Sequence, residues 1–190
     1  MNEIVKDLRN EFNKRKNDLQ EPNIKVHIIT NTFLKYLGYD TDECIYEVPT
    51  GKGYCDILVP TNGDSALVVE VKTGKQPLNE KDIEQIQDYA NRKKQRFGIL
   101  TNGYEYILLD FKISSPPILK GTAYKSYVVF WFNIFRSRGN GLTELKYFQY
   151  LSFENLFRAC EVFSVNLPFC GKKVCFQGRA LKACPNYNIS

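Results

Sequence analysis

The chain has 190 residues, 43% of them hydrophobic and 25% charged, with a formal net charge of +5; this is ordinary globular composition for one domain with a real core, and the mild positive balance fits a phosphate-backbone partner without requiring one. It contains no run of about eighteen apolar residues, which excludes a membrane-crossing helix from the expectations. The charged opening MNEIVKDLRNEF lacks the apolar stretch of a signal peptide, so the expectation is a cytoplasmic protein whose six cysteines stay reduced.

Residues 2–19 carry Ile4, Val5, Leu8, Phe12 and Leu19 among charges at helical spacing, which predicts an amphipathic helix. A second helix is expected to open near Pro22, to carry Ile24, Ile28, Ile29, Phe33, Leu34 and Leu37 on one side, and to end at Gly38. It holds the only histidine, His27, which reads as a packed or half-exposed helical residue; one histidine is too few for His-based hydrolysis. Strands follow at 43–49, 53–60 and 65–72, the last two separated by an Asn62-Gly63-Asp64 turn.

Helical spacing returns over 78–94, with Ile83, Ile86, Tyr89 and Ala90 as the buried stripe. Phe97-Gly98-Ile99-Leu100 and 104–111 read as strands flanking a Thr101-Asn102-Gly103 turn. A helix between the third and fourth strands predicts one crossover in an otherwise antiparallel sheet. Ser114-Ser115-Pro116-Pro117 breaks the pattern, 127–132 is β-rich, and Ser152 through Phe157 reads as an N-capped short helix. Periodicity fades beyond about residue 162. The division expected is a helix at 1–19, a main domain over 20–160 and an irregular tail over 161–190. Cys160, Cys170, Cys175 and Cys184 crowd the end without a CxxC pair, so zinc is weakly supported. Gly51-Lys52-Gly53 lacks the frame of a phosphate-binding loop.

The chemistry concentrates in two strands. Asp56 lies in Tyr54-Cys55-Asp56-Ile57-Leu58-Val59, and Glu70 and Lys72 lie in Ala66-Leu67-Val68-Val69-Glu70-Val71-Lys72. A carboxylate inside an apolar run is costly unless paired or metal-bound. Two such carboxylates can hold a hard divalent cation through oxygen, and a lysine beside them can orient an attacking water or steady phosphate charge. Side chains alternate along a strand, so Glu70 and Lys72 share a face and Val71 points into the core. The blander readings are a turn-capping aspartate and a Lys–Glu salt bridge at a sheet edge.

These residues belong to a longer ordered pattern. Phe33-Leu34-Lys35-Tyr36-Leu37-Gly38-Tyr39-Asp40, Cys55-Asp56-Ile57-Leu58, Val69-Glu70-Val71-Lys72, Gln85-Ile86-Gln87-Asp88-Tyr89-Ala90 and Phe97-Gly98-Ile99-Leu100-Thr101-Asn102-Gly103 follow one another. Together, roughly residues 20–112 resemble the N-terminal nuclease domain of type I restriction enzyme R subunits, within the PD-(D/E)xK nuclease superfamily. The superfamily's proline before the aspartate is missing here, where Tyr54-Cys55 precedes Asp56.

The resemblance implies an α/β, restriction-endonuclease-like fold, a mixed central sheet flanked by helices. It implies Mg²⁺-dependent hydrolysis of DNA phosphodiesters, with Mn²⁺ able to substitute. Asp56 and Glu70 would be metal ligands, Lys72 catalytic, and Gln85 would position substrate or Lys72. Tyr89 would either reach a DNA phosphate or pack in the core. The further acid common in this superfamily would be Glu21, a residue that otherwise complements a helix dipole, or Glu47 on the first strand. Lys75, Lys81, Arg92, Lys93, Lys94 and Arg96 give the region a basic flavour that a solvated helix face also explains.

Cleavage would be sequence-nonspecific, with sequence choice left to partners such as the methyltransferase and specificity subunits of a restriction-modification complex. The motor domains of the large R subunits are not in this sequence. Two rival readings stand beside the nuclease: an inert nuclease-like DNA-binding or assembly module, and a truncated R subunit with a remnant tail.

Overall fold

A computed structural model of the chain describes residues 2–60, 66–111 and 128–135, together with a short strand pair at 169–170 and 173–174. The Asn62–Asp64 turn, the Ser114–Pro117 break, the 152–157 helix and Cys160, Cys175 and Cys184 lie outside the described residues.

Helix α1 (Asn2–Lys14) buries Ile4, Val5, Leu8 and Phe12. It stops short of Leu19, which is buried from the connecting segment. The next helix opens as a single α-turn, α2 (Glu21–Asn23), with Pro22 in its first turn. It then runs as a π-helix over Ile24–Leu34. The wider i→i+5 turn explains which side chains are buried. The buried set is Ile24, Lys25, Ile28, Ile29, Thr30, Phe33 and Leu34; its members fall five apart, as 24–29–34, 25–30 and 28–33. Thr32 Oγ1 donates to the His27 carbonyl at 2.9 Å, also five residues back. Gly38 closes the helix at φ +84°, a left-handed backbone that favours glycine.

The strands are β1 (Ile45–Pro49), β2 (Tyr54–Pro60), β3 (Ala66–Val71), β4 (Phe97–Thr101), β5 (Glu105–Asp110) and β6 (Val128–Asn133). They form one sheet in sequence order. Every neighbouring pair is antiparallel except β3–β4, which is parallel. Helix α3 (Glu80–Arg92) makes the crossover between them. Its start is fixed by Asn79, whose side chain accepts from the Lys81 amide while its own amide donates to Asp82, each at 2.9 Å. The short strands β7 (Phe169–Cys170) and β8 (Lys173–Val174) form a second, two-stranded sheet.

The sheet divides the core. On one face Ile57, Val59, Leu67, Val69, Val71, Ile99, Tyr106 and Leu108 pack against α1 and the π-helix. On the other, Cys55, Val68, Leu100, Ile107 and Leu109 pack against Ile83, Ile86, Tyr89 and Ala90 of α3. Val71 and Glu70 therefore face opposite layers, as alternation requires. The architecture is α/β with a mixed sheet flanked by helices, and no helix among the described residues is long and apolar enough to cross a membrane.

Candidate active site

Strands β2 and β3 part company at Asp56. Their pairing runs from Pro60↔Ala66 to Ile57↔Val69 and stops there. On the other edge, β1 pairs Tyr46↔Ile57 and Val48↔Cys55, leaving Glu47 and Asp56 between. The pleat breaks at the same point: Cys55 packs on the α3 side, whereas Ile57 and Val59 pack on the opposite one. Glu47 itself sits at φ +52°, a backbone state that costs a non-glycine residue about 1 kcal/mol or more.

Into that gap goes the Asp56 carboxylate, which is 5% exposed. Its Oδ2 accepts from the Val71 amide at 2.7 Å, taking the ladder bond the strands do not make. Its Oδ1 accepts from Lys25 Nζ at 2.6 Å. Lys25 also donates to Glu47 Oε1. Burial disfavours the Lys25 charge, but the two carboxylates outweigh burial and hold its pKa above the usual lysine value.

Glu70 lies at the end of β3, 2% exposed. Its Oε1 accepts from Lys72 Nζ at 2.6 Å, and its Oε2 is buried with no hydrogen-bond partner among the described residues. Burial pushes the Glu70 carboxyl up to about 7; the Asp56 charge adds to the push and Lys72 opposes it. Lys72 donates to Gln85 Oε1 at 2.8 Å as well, and Gln85 Nε2 donates to the Tyr89 hydroxyl at 2.7 Å. Burial works against the Lys72 charge, yet Glu70 more than compensates, and its pKa is raised. The residues Glu70, Lys72, Gln85 and Tyr89 thus form one chain from strand to helix.

The Tyr89 ring packs in the α3-side core, with only its hydroxyl serving Gln85. The β1–β2 hairpin closes over that hydroxyl. A Cβ at Gly53, where φ is +142°, would stand 3.1 Å from it. This is the service performed by the Gly51-Lys52-Gly53 turn.

Glu21 reaches the site because its connecting segment is tied to the end of β3. The Leu19 carbonyl accepts from Thr73 Oγ1 at 2.9 Å and from the Gly74 amide at 3.0 Å. Burial raises the Glu21 carboxyl, and the Asp56 charge raises it further. Glu47, the other acid in question, is engaged by Lys25. Among the described residues no group of three or more His, Cys, Asp or Glu side chains is gathered as a metal cluster. The acids here are the pair Asp56 and Glu70, with Glu21 in their field.

The basic residues divide. Arg92 pairs with Asp88 at 2.8 Å, and Arg96 pairs with buried Asp110 at 2.8 Å while lying over the Phe97 ring. Lys75, Lys81 and Lys94 are exposed. His27 is half-buried on the π-helix.

Residues 20–118, just over half of the chain, match the family of the type I restriction enzyme R protein N terminus. The chain belongs to this family. No curated protein and no solved structure matches it.

The Leu100-Thr101-Asn102-Gly103 stretch has a structural explanation. Asn102 is fully buried; its Nδ2 donates to the Gln76 carbonyl at 2.8 Å, and its Oδ1 accepts from the Glu105 amide at 2.8 Å. The Thr101 carbonyl accepts from the Lys72 amide at 2.8 Å. The turn therefore anchors both the strand end that carries Lys72 and the loop leading to α3. Lys25 is the site residue that sequence reasoning missed. The signal available was a lysine amid Ile24, Ile28 and Ile29, legible once the helix is counted in fives rather than in turns of about 3.6.

Proposed function

We propose that the chain is a divalent-metal-dependent endodeoxyribonuclease domain. The observation that carries this reading is Glu70: a buried carboxylate with one oxygen on Lys72 and the other without a partner among the described residues, beside the buried carboxylate of Asp56. Such a pair fits a hard cation, which oxygen ligands of this type hold. Asp56 and Glu70 would bind Mg²⁺ or Mn²⁺, with Glu21 as the accessory acid. The cation would supply Lewis-acid stabilisation of charge on the scissile phosphate.

The chain's own residues do the rest. Lys72, kept as an ammonium by Glu70, offers N–H donors and positive charge rather than a base. It orients the attacking water and steadies the phosphate oxygens as charge develops. Gln85 fixes the Lys72 ammonium from the α3 side, and Tyr89 fixes Gln85. DNA is the substrate, and methyltransferase and specificity subunits of a restriction-modification complex are the partners that fit the family. An inert module is disfavoured because the Asp, Glu and Lys are all present, with Glu70 bonded to Lys72 and Asp56 held on the Val71 amide between them.

The test is nicking of supercoiled plasmid with Mg²⁺ or Mn²⁺, comparing wild type with Asp56→Ala and Lys72→Ala. Metal-dependent nicking lost in both variants is the expected result. Wild-type protein that binds DNA and never cuts it would sink the nuclease reading.

A further inference from the structure

Lys25 lies on the π-helix, 8% exposed, with its ammonium between Asp56 and Glu47. A buried lysine requires a partner, and this one has two of different character. The Asp56 side chain is buried, whereas that of Glu47 is 59% exposed at the rim. Glu47 holds its place through a left-handed backbone at φ +52°. Strain of this kind persists where surrounding structure imposes it. It falls at the one β1 position opposite Asp56.

We propose that Lys25 is an internal counter-ion to Asp56 that divalent-cation binding displaces, with Glu47 as the acceptor that retains it. The inference rests on the metal-site reading above. In the metal-free protein Lys25 neutralises Asp56 and occupies Oδ1, one of the oxygens a cation would use. Binding of the cation costs Lys25 that bond, and Glu47 keeps the ammonium paired. The lysine thus lowers affinity for free metal while protecting the empty site from the repulsion of its own carboxylates. Lys25 is a positioning residue: it acts through Asp56 and not on substrate.

The test is calorimetric titration of Mn²⁺ and Ca²⁺, without DNA, into metal-stripped full-length wild type, Lys25→Met, Glu47→Gln, the Lys25→Met/Glu47→Gln double variant and Asp56→Ala. Melting temperatures are measured with and without each metal. Lys25→Met is expected to bind at least about tenfold more tightly than wild type, as removal of a like charge at contact distance predicts. It should also melt lower without metal and gain more from saturation. Glu47→Gln, in which Lys25 keeps a neutral acceptor but loses its alternative anionic partner, is expected to bind more weakly. The double variant should bind as Lys25→Met does, because Glu47 acts through Lys25.

If Lys25→Met does not fold, the Glu47→Gln affinity decides: a value unchanged from wild type overturns the proposal. A wild type that binds metal, with a folded Lys25→Met binding equally or less tightly, overturns the counter-ion role and leaves the metal site standing. Absence of both heat and thermal shift in all five proteins overturns the counter-ion role and the nuclease reading together.

Discussion

Asp56 holds the Val71 amide at 2.7 Å across the point where β2 and β3 separate. One carboxylate thereby replaces a backbone ladder bond and is fixed one residue from Glu70. The same carboxylate neutralises Lys25. Asp56→Ala is expected to leave the buried Val71 amide without its acceptor and Lys25 with Glu47 as its remaining anionic partner, costing about 3 kcal/mol. Asp56→Asn, which keeps an acceptor for Val71, should cost about 1 kcal/mol. Urea unfolding monitored by fluorescence checks both; equal costs would show that the Val71 bond contributes nothing.

Gln85 joins Lys72 to Tyr89 through two hydrogen bonds at 2.8 and 2.7 Å. Gln85→Ala should slow plasmid nicking about 10- to 100-fold, the usual penalty for losing a group that orients a ligand or catalytic side chain. The circular dichroism spectrum should not change. A rate equal to wild type would place the Lys72 ammonium under the control of Glu70 alone.

Asn102 holds the Gln76 carbonyl and the Glu105 amide from a fully buried position. Asn102→Ala orphans both and is expected to destabilise the protein by about 2–3 kcal/mol. Its thermal midpoint should fall by several degrees, and the Lys72 end of β3 should exchange amide hydrogens faster.

Burial pushes the Cys44 thiol up to about 11 and the Cys55 thiol up to about 12, from an ordinary value of 9.0. A raised folded-state pKa on an acid favours the protonated folded form. The associated stability is complete below about pH 9 and is lost as pH rises toward 11–12. Iodoacetamide at pH 8 should therefore label both residues far more slowly in native protein than in urea, as peptide mapping would read. Native labelling at the denatured rate would contradict the burial.

Much of this site was legible in the sequence, and the reason is local. Glu70 and Lys72 share a face because strands alternate, and Asp56 stands out because a carboxylate within Ile, Leu and Val demands a partner. The single crossover was legible from a helix between the third and fourth strands. Three features were not. The split of β2 from β3 depends on pairing between segments distant in sequence. The π-helical turn changes which residues face inward, and a reading at about 3.6 residues per turn leaves Lys25 outside its stripe. The proximity of Glu21 to Asp56 comes from the Leu19 carbonyl bonding to Thr73 and Gly74, a contact no periodicity announces.

The family pattern begins at residue 20, but the folding unit does not. Ile4, Val5, Leu8 and Phe12 of α1 sit in the same core as the π-helix and one face of the sheet. Each such side chain contributes roughly 2 kcal/mol on burial. Their combined loss approaches the whole stability of an ordinary domain, about 5–15 kcal/mol. A fragment cut at the family boundary would keep every acid and lysine discussed here and still lack a reason to fold, so inactivity in such a fragment would report on its missing lid of hydrocarbon and not on its chemistry.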